Sequence, residues 1–145
     1  MQSLSRRGWL GLSAAAGAAA ALRPAPVSAQ DPAARAFIDR AFALRMAAQA
    51  AGDQPYGAVV VHDGRIVGEA PSRVVVDGDP TAHAEMEAIR DAARRLGGRD
   101  LSGCVLYSSS RPCPMCEAAA YWAGIGGVVH GEAMTDAGAP RLNRC

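Results

Sequence analysis

The chain has 145 residues, about the length of one small domain, and half of them are hydrophobic. Fifteen arginines, no lysine and fourteen acidic residues leave a formal net charge of +1. Without a basic excess the chain lacks the electrostatic footprint of a protein that grips a polyanion, so stable nucleic-acid binding is not expected.

The first 29 residues read differently from the rest. Arg6 and Arg7 precede Trp9, Leu10 and a long Ala/Gly/Leu stretch without an acid; Pro24, Pro26 and then Val27-Ser28-Ala29 follow. A charged region, an apolar region and a small-residue cleavage site make a signal peptide, and "SRRGWLG" resembles the twin-arginine type. The apolar run from Gly8 to Leu22 is short and Ala/Gly-rich for a membrane span of ~20 residues. Residues 1–29 are therefore assigned to export and residues 30–145 to the domain, with the mature protein expected in the periplasm or outside the cell. Those 116 residues carry twelve arginines and fourteen acids, a net −2. They suffice for a stable core without disulfide staples.

Along the domain, Asp31-Pro32 is a helix-start signal, and Phe37, Ile38, Phe42, Leu44 and Met46 recur at near-helical spacing up to Gly52. "YGAVVV" and "RIVGEA" flank "HDG", which predicts two strands joined by a tight turn. Asp79-Pro80 repeats the helix-start signal, and that helix is expected to run to Gly97-Gly98 with Arg94 and Arg95 in its last turn. "CVLYSS" predicts a third strand, Pro112 opens a third helix through Trp122 to Gly124, and "GVVH" predicts a fourth strand; the last 14 residues show no period. The order α-β-β-α-β-α-β implies a sheet with helices packed on it.

Two helix starts carry metal-capable residues. The first holds His83-Ala84-Glu85 and the second Cys113 and Cys116. Residues three apart share a helix face, so both sulfurs can reach one ion, and thiolates in a first turn gain from the helix N-terminus. One imidazole and two thiolates form the three-ligand pattern of catalytic zinc, with a fourth position left open. Glu85 is then free for proton transfer. On a regular helix residues i and i+2 diverge by ~200°, so His83 and Glu85 converge only where the helix is just starting. H-x-E followed by P-C-x-x-C is the signature of zinc deaminases.

The stretch "DPTAHAEMEAIRDAARRLGGRDLSGCVLYSSSRPCPMCEAAAYWAG" resembles the cytidine and deoxycytidylate deaminase superfamily, and most of all its small bacterial guanine and nucleoside deaminases. The resemblance runs from about Ala33 to His130. It implies a three-layer α/β/α fold with a central mixed sheet and helices on both faces, usually assembled as a dimer or higher oligomer. It implies Zn2+ held by His83, Cys113 and Cys116, Glu85 as proton shuttle, and Tyr56, Gly57 and Ala58 near the base. The implied substrate is a small nucleobase or nucleoside, guanine first and a nucleoside such as adenosine or a cytosine-type substrate as runner-up, deaminated with release of ammonia. Two positions depart from the family pattern. Ser72 stands where purine-acting relatives generally carry an asparagine that contacts the base, and Arg111 stands where they carry glutamate. Arg111 reads either as a solvated surface arginine or as a residue at the mouth of the site that would favour a substrate bearing an anionic group.

Other readings of the same residues remain open at this level. Tyr121 and Trp122 read as packing, with Trp122 a candidate for substrate contact, and Cys104 as an inert buried thiol. An even cysteine count in an exported chain also suits a disulfide framework. Cys113 and Cys116 could form a thiol redox pair, or a structural zinc site completed by Cys104 or Cys145. The export reading and the metal reading support each other: thiolates bound to zinc before a folded passage across the membrane are not free to oxidise.

Overall fold

The structure, a computed structural model, describes residues 31–142; the segment expected to direct export, residues 1–29, and Cys145 lie outside the described residues. Nine elements follow in chain order: α1 (Pro32–Ala50), β1 (Gly57–His62), β2 (Arg65–Pro71), α2 (Val74–Asp77), α3 (Ala84–Leu96), β3 (Val105–Ser108), α4 (Pro114–Trp122), β4 (Gly127–His130) and β5 (Thr135–Gly138). The Asp31 carboxylate caps α1 by accepting from the Ala33 N–H at 2.9 Å, with Pro32 opening the helix. The buried stripe is Ala34, Ile38, Ala41, Leu44 and Ala48; of the residues whose spacing predicts the helix, Ile38 and Leu44 belong to it, Phe37 and Phe42 are partly buried and Met46 is exposed. Asp63 and Gly64 turn the β1–β2 hairpin with φ of 48° and 71°, the left-handed pair that a two-residue Asp-Gly turn favours.

The strands form one five-stranded sheet in the order β2-β1-β3-β4-β5. β3 and β4 run parallel, joined across α4, and the other neighbours are antiparallel. Side-chain alternation sorts the sheet into two buried faces. Ala58, Val60, Leu106 and Val128 pack with Ala84, Ala88 and Ala92 of α3 and Ala120 of α4. Val59, Val61, Tyr107 and Val129 pack with Ala34, Ile38 and Leu44 of α1. This is the mixed sheet sandwiched by helices that was expected. Among the described residues, no helix is long and apolar enough to cross a membrane.

Two helix starts differ from the sequence expectation, and two elements are additional to it. Asp79-Pro80 opens a turn and not a helix: the Asp79 carboxylate accepts from the backbone N–H and hydroxyl of Thr81, and the Arg73 N–H takes the Ala82 carbonyl. α3 therefore starts only after His83. α4 starts at Pro114, with Cys113 as its cap, and not at Pro112. α2 and β5 were not foreseen. α2 gathers β-branched valines that read as extended chain, and β5 is an exposed edge strand without alternation.

Two glycines set the helix-to-sheet distance. A Cβ on Gly57 would lie 2.2 Å from the Ala41 carbonyl oxygen of α1, and one on Gly68 would lie 2.4 Å from the Ala88 carbonyl oxygen of α3. Both neighbours are backbone, so neither yields without a shift of the helix. Gly68→Ala is expected to destabilise the fold by about 3 kcal/mol, toward the upper end of overpacking costs, read as a lowered midpoint in urea unfolding. An unchanged midpoint would show that α3 is free to lift off β2.

Candidate active site

His83 is the N-cap of α3, with φ −63° and ψ 152°. Its backbone is extended, so the angular separation a regular helix would impose on His83 and Glu85 does not apply. Glu85 lies in the first turn and is 4% exposed. Cys113 caps α4 with ψ 167°, and Cys116 sits buried in the first turn of that helix. Both cap residues thus point their side chains from the last non-helical position of a loop toward the same place.

The resulting geometry is tight. His83 Nδ1 lies 3.7 Å from Cys113 Sγ and 3.6 Å from Cys116 Sγ, and the two sulfurs are 3.6 Å apart. Zinc held tetrahedrally at ~2.3 Å from sulfur and ~2.0 Å from nitrogen would place these pairs about 3.5 to 3.8 Å apart. The donor set fits the ion. A disulfide would need the sulfurs about 2 Å apart, so Cys113 and Cys116 are free thiols here. Burial, reinforced by the neighbouring Glu85 and Cys113, drives the Cys116 thiol well above its ordinary pKa. That reverses the expectation that the helix N-terminus alone would lower it. A cation shared by the three donors is what makes the thiolate favourable.

Glu85 is oriented by a residue that sequence reading missed. Ser108, buried at the end of β3, donates from its hydroxyl to Glu85 Oε1 at 2.7 Å, while Glu85 Oε2 lies 3.5 Å from Cys116 Sγ. One carboxylate oxygen is thereby held by the sheet and the other is left beside the metal donors. The serine run "SSSRPC" preceding the cysteines is the only sequence trace of this.

An open cleft of about 570 Å³ reaches the group, lined by Gln54, Tyr56, His83, Glu85, Ser110, Arg111 and Cys113. Of the expected substrate residues, Tyr56 and Arg111 stand in its wall. Gly57, Ala58, Ser72 and Trp122 do not line it. Gly57 faces α1, where a Cβ would strike the Ala41 carbonyl, and Ala58 is part of the core beneath α3. The Ser72 hydroxyl donates to the Asp53 carboxylate at 2.7 Å. Trp122 is 72% exposed at the end of α4, in edge contact with Tyr121. Gln54 and Ser110 are cleft residues that the sequence did not single out. Cys104 is fully buried in the core, where desolvation raises its thiol pKa to about 11, as an inert thiol requires. It is not part of the metal-capable group, which among the described residues is His83, Cys113 and Cys116.

An imidazole and two thiolates around one point, with a buried carboxylate beside them and an open cleft in front, define the site type of the zinc deaminases. The family profile described as the cytidine and deoxycytidylate deaminase zinc-binding region matches residues 32–132, and the chain belongs to this family. It is 46% identical over 102 residues to guanine deaminase of Bacillus subtilis, covering 70% of this chain and 65% of that protein. It is 49% identical over 76 residues to a tRNA-specific adenosine deaminase of Aquifex aeolicus, covering 51% of this chain and 50% of the relative. The solved Bacillus guanine deaminase superposes with a TM-score of 0.64 at 45% identity, over 66% of this chain and 62% of that one. A guanine deaminase from Nitrosomonas europaea gives 0.63 at 31% identity, over 66% and 57%. The chain thus spans about half to two thirds of the length of these relatives.

The purified protein is expected to hold about one zinc per chain, and His83→Ala or Cys113→Ser to reduce this to a small fraction. Cys104→Ser should leave it unchanged; metal analysis showing zinc loss there would place a fourth protein ligand at Cys104.

Proposed function

We propose that the protein is a hydrolase that removes the exocyclic amino group of a nucleobase as ammonia, with a guanine-type purine as first substrate. The observation that carries this reading is the buried Glu85 carboxylate, fixed by Ser108 and set beside the His83–Cys113–Cys116 group at the wall of an open cleft. The similarity to a Bacillus guanine deaminase supports the choice of base, and the cleft volume suits a purine.

Zinc held by His83, Cys113 and Cys116 would supply Lewis acidity that makes water a nucleophile at neutral pH. The rest falls to the chain's own side chains. Glu85 Oε2 takes a proton from the attacking water and delivers it to the ring nitrogen next to the amine-bearing carbon. A C–O bond forms at that carbon, and the same carboxyl relays a second proton to the amine as the C–N bond breaks and ammonia leaves. Ser108 keeps Oε1 occupied, so proton traffic is confined to one oxygen. Tyr56 and Arg111 bound the space in which the base sits.

Glu85→Ala is expected to lower ammonia release by about 10³-fold, and Ser108→Ala by about tenfold through loss of a hydrogen bond to a charged group. The assay runs over guanine, adenine, cytosine and their nucleosides with zinc content measured in parallel. Zinc-loaded protein that releases no ammonia from any of them, or release indifferent to Glu85, would sink the reading.

The proposal extends to export of the folded, metal-loaded enzyme. The experiment replaces residues 1–29 by a signal for unfolded export. Loss of zinc from the exported protein is expected, and full zinc occupancy would remove the argument that folding precedes translocation.

A further inference from the structure

Of the residues around the cleft, Gln54 and Tyr56 come from the segment between α1 and β1, and that segment is tied down at Asp53. The Asp53 carboxylate is 7% exposed. It accepts from the backbone N–H of Gln54 at 2.7 Å, the Ser72 hydroxyl at 2.7 Å, and the N–H groups of Val75 and Val76 at 2.9 Å. Burial alone would raise the pKa of this carboxyl, but the four donors outweigh it and hold the group below the usual range. The Gln54 carbonyl in turn accepts from the Tyr56 N–H at 2.8 Å. Both backbone polar groups of Gln54 are therefore engaged, one on each side. Gln54 lines the cleft, and the hydrogen bonds it makes among the described residues are those of its backbone, which leaves its carboxamide without a partner there.

The chemistry of the cleft makes this amide distinct. Tyr56 and Ser110 each offer a single hydroxyl, Arg111 only donates, and an ionised Glu85 only accepts. Gln54 is the cleft residue that presents a donor and an acceptor side by side in one plane. Ser72, whose hydroxyl serves Asp53, does not reach the cleft.

We propose that the Gln54 carboxamide is the group that reads the substrate, pairing with a ring N–H and an adjacent C=O, the lactam edge of a 6-oxopurine, and that Asp53 is its positioning residue. The amide oxygen accepts from the ring N–H and the amide N–H donates to the ring carbonyl. This rests on the nucleobase reading above and adds the edge by which the base is chosen. A bidentate amide contact of this kind is worth ~1–3 kcal/mol of discrimination, or about 5- to 150-fold.

The test needs no turnover. Zinc-loaded protein carrying Glu85→Ala is titrated calorimetrically with 8-azaguanine, which has the lactam edge, and with 2-aminopurine, which lacks the carbonyl. The Glu85→Ala protein is expected to prefer 8-azaguanine by at least about tenfold. Adding Gln54→Leu should weaken 8-azaguanine about 10- to 100-fold and change 2-aminopurine by less than about threefold, collapsing the preference. Gln54→Glu, which keeps shape and acceptor but loses the donor, should weaken 8-azaguanine as well, and Asp53→Asn should do so with zinc content unchanged. A preference that survives Gln54→Leu and Gln54→Glu overturns the inference, as does failure of the Glu85→Ala protein to bind either purine. The ammonia assay separates the two ideas. Glu85-dependent turnover with Gln54-indifferent binding leaves the reaction standing and removes the role of Gln54. Gln54-dependent binding without turnover does the reverse.

Discussion

Three electron-pair donors lie 3.6 to 3.7 Å from one another around His83, Cys113 and Cys116, with a carboxylate at 3.5 Å from the buried sulfur. Without a cation such a cluster is unfavourable: two thiolates and a carboxylate repel one another, and burial disfavours each charged form. The cluster is held because its members belong to backbone positions that cannot easily separate. His83 and Cys113 are the caps of α3 and α4. Ala84 and Ala88 of α3 and Ala120 of α4 pack into the same core layer. The small residues there, and Gly68 beneath them, let the helices approach closely enough to bring their first turns together.

The parallel pairing of β3 with β4 places this cluster. A strand followed by a helix and then a parallel strand puts the helix N-terminus beside the carboxyl end of the first strand, where ligands of α/β proteins gather. Ser108 ends β3 and Cys113 caps the helix that follows, five residues on. The antiparallel β1 contributes from the other side. The Gly57 N–H donates to the Ser109 hydroxyl at 3.1 Å, which ties the start of β1, next to Tyr56, to the chain that leads to Arg111. The cleft wall is thereby built from both sheet halves.

Much of this was legible from residues near one another in sequence. Asp31-Pro32, the Asp-Gly turn and the apolar run "YGAVVV" are local signals, and the elements they mark formed as expected. The metal-capable residues were legible because the spacing within each half is local, with only the joining of the two halves left to the fold. What stayed hidden depends on partners distant in the chain. α2 runs against the preference of three consecutive valines because Asp53, more than twenty residues earlier, caps it. Ser108 reads as one serine among three until its hydroxyl is seen on Glu85. Ser72 looked like a substrate contact by position, but a neighbouring carboxylate takes its hydroxyl. The misplaced start of α3 has the same origin: Asp79 carries a good cap signal and uses it on a turn.

The anchoring of Glu85 to Ser108 also bears on how the molecule breathes. β3 is the middle strand of five, hydrogen-bonded on both edges by β1 and β4. Strands in that position open to solvent only in the rarest, most global fluctuations, whereas segments outside helices and strands open often and at low cost. The Glu85 carboxylate is thus moored to the central strand of the sheet, while the 110–112 segment that bounds the cleft belongs to its faster periphery. The wall that a ligand must pass can loosen many times over without the carboxylate losing its hydrogen-bond donor.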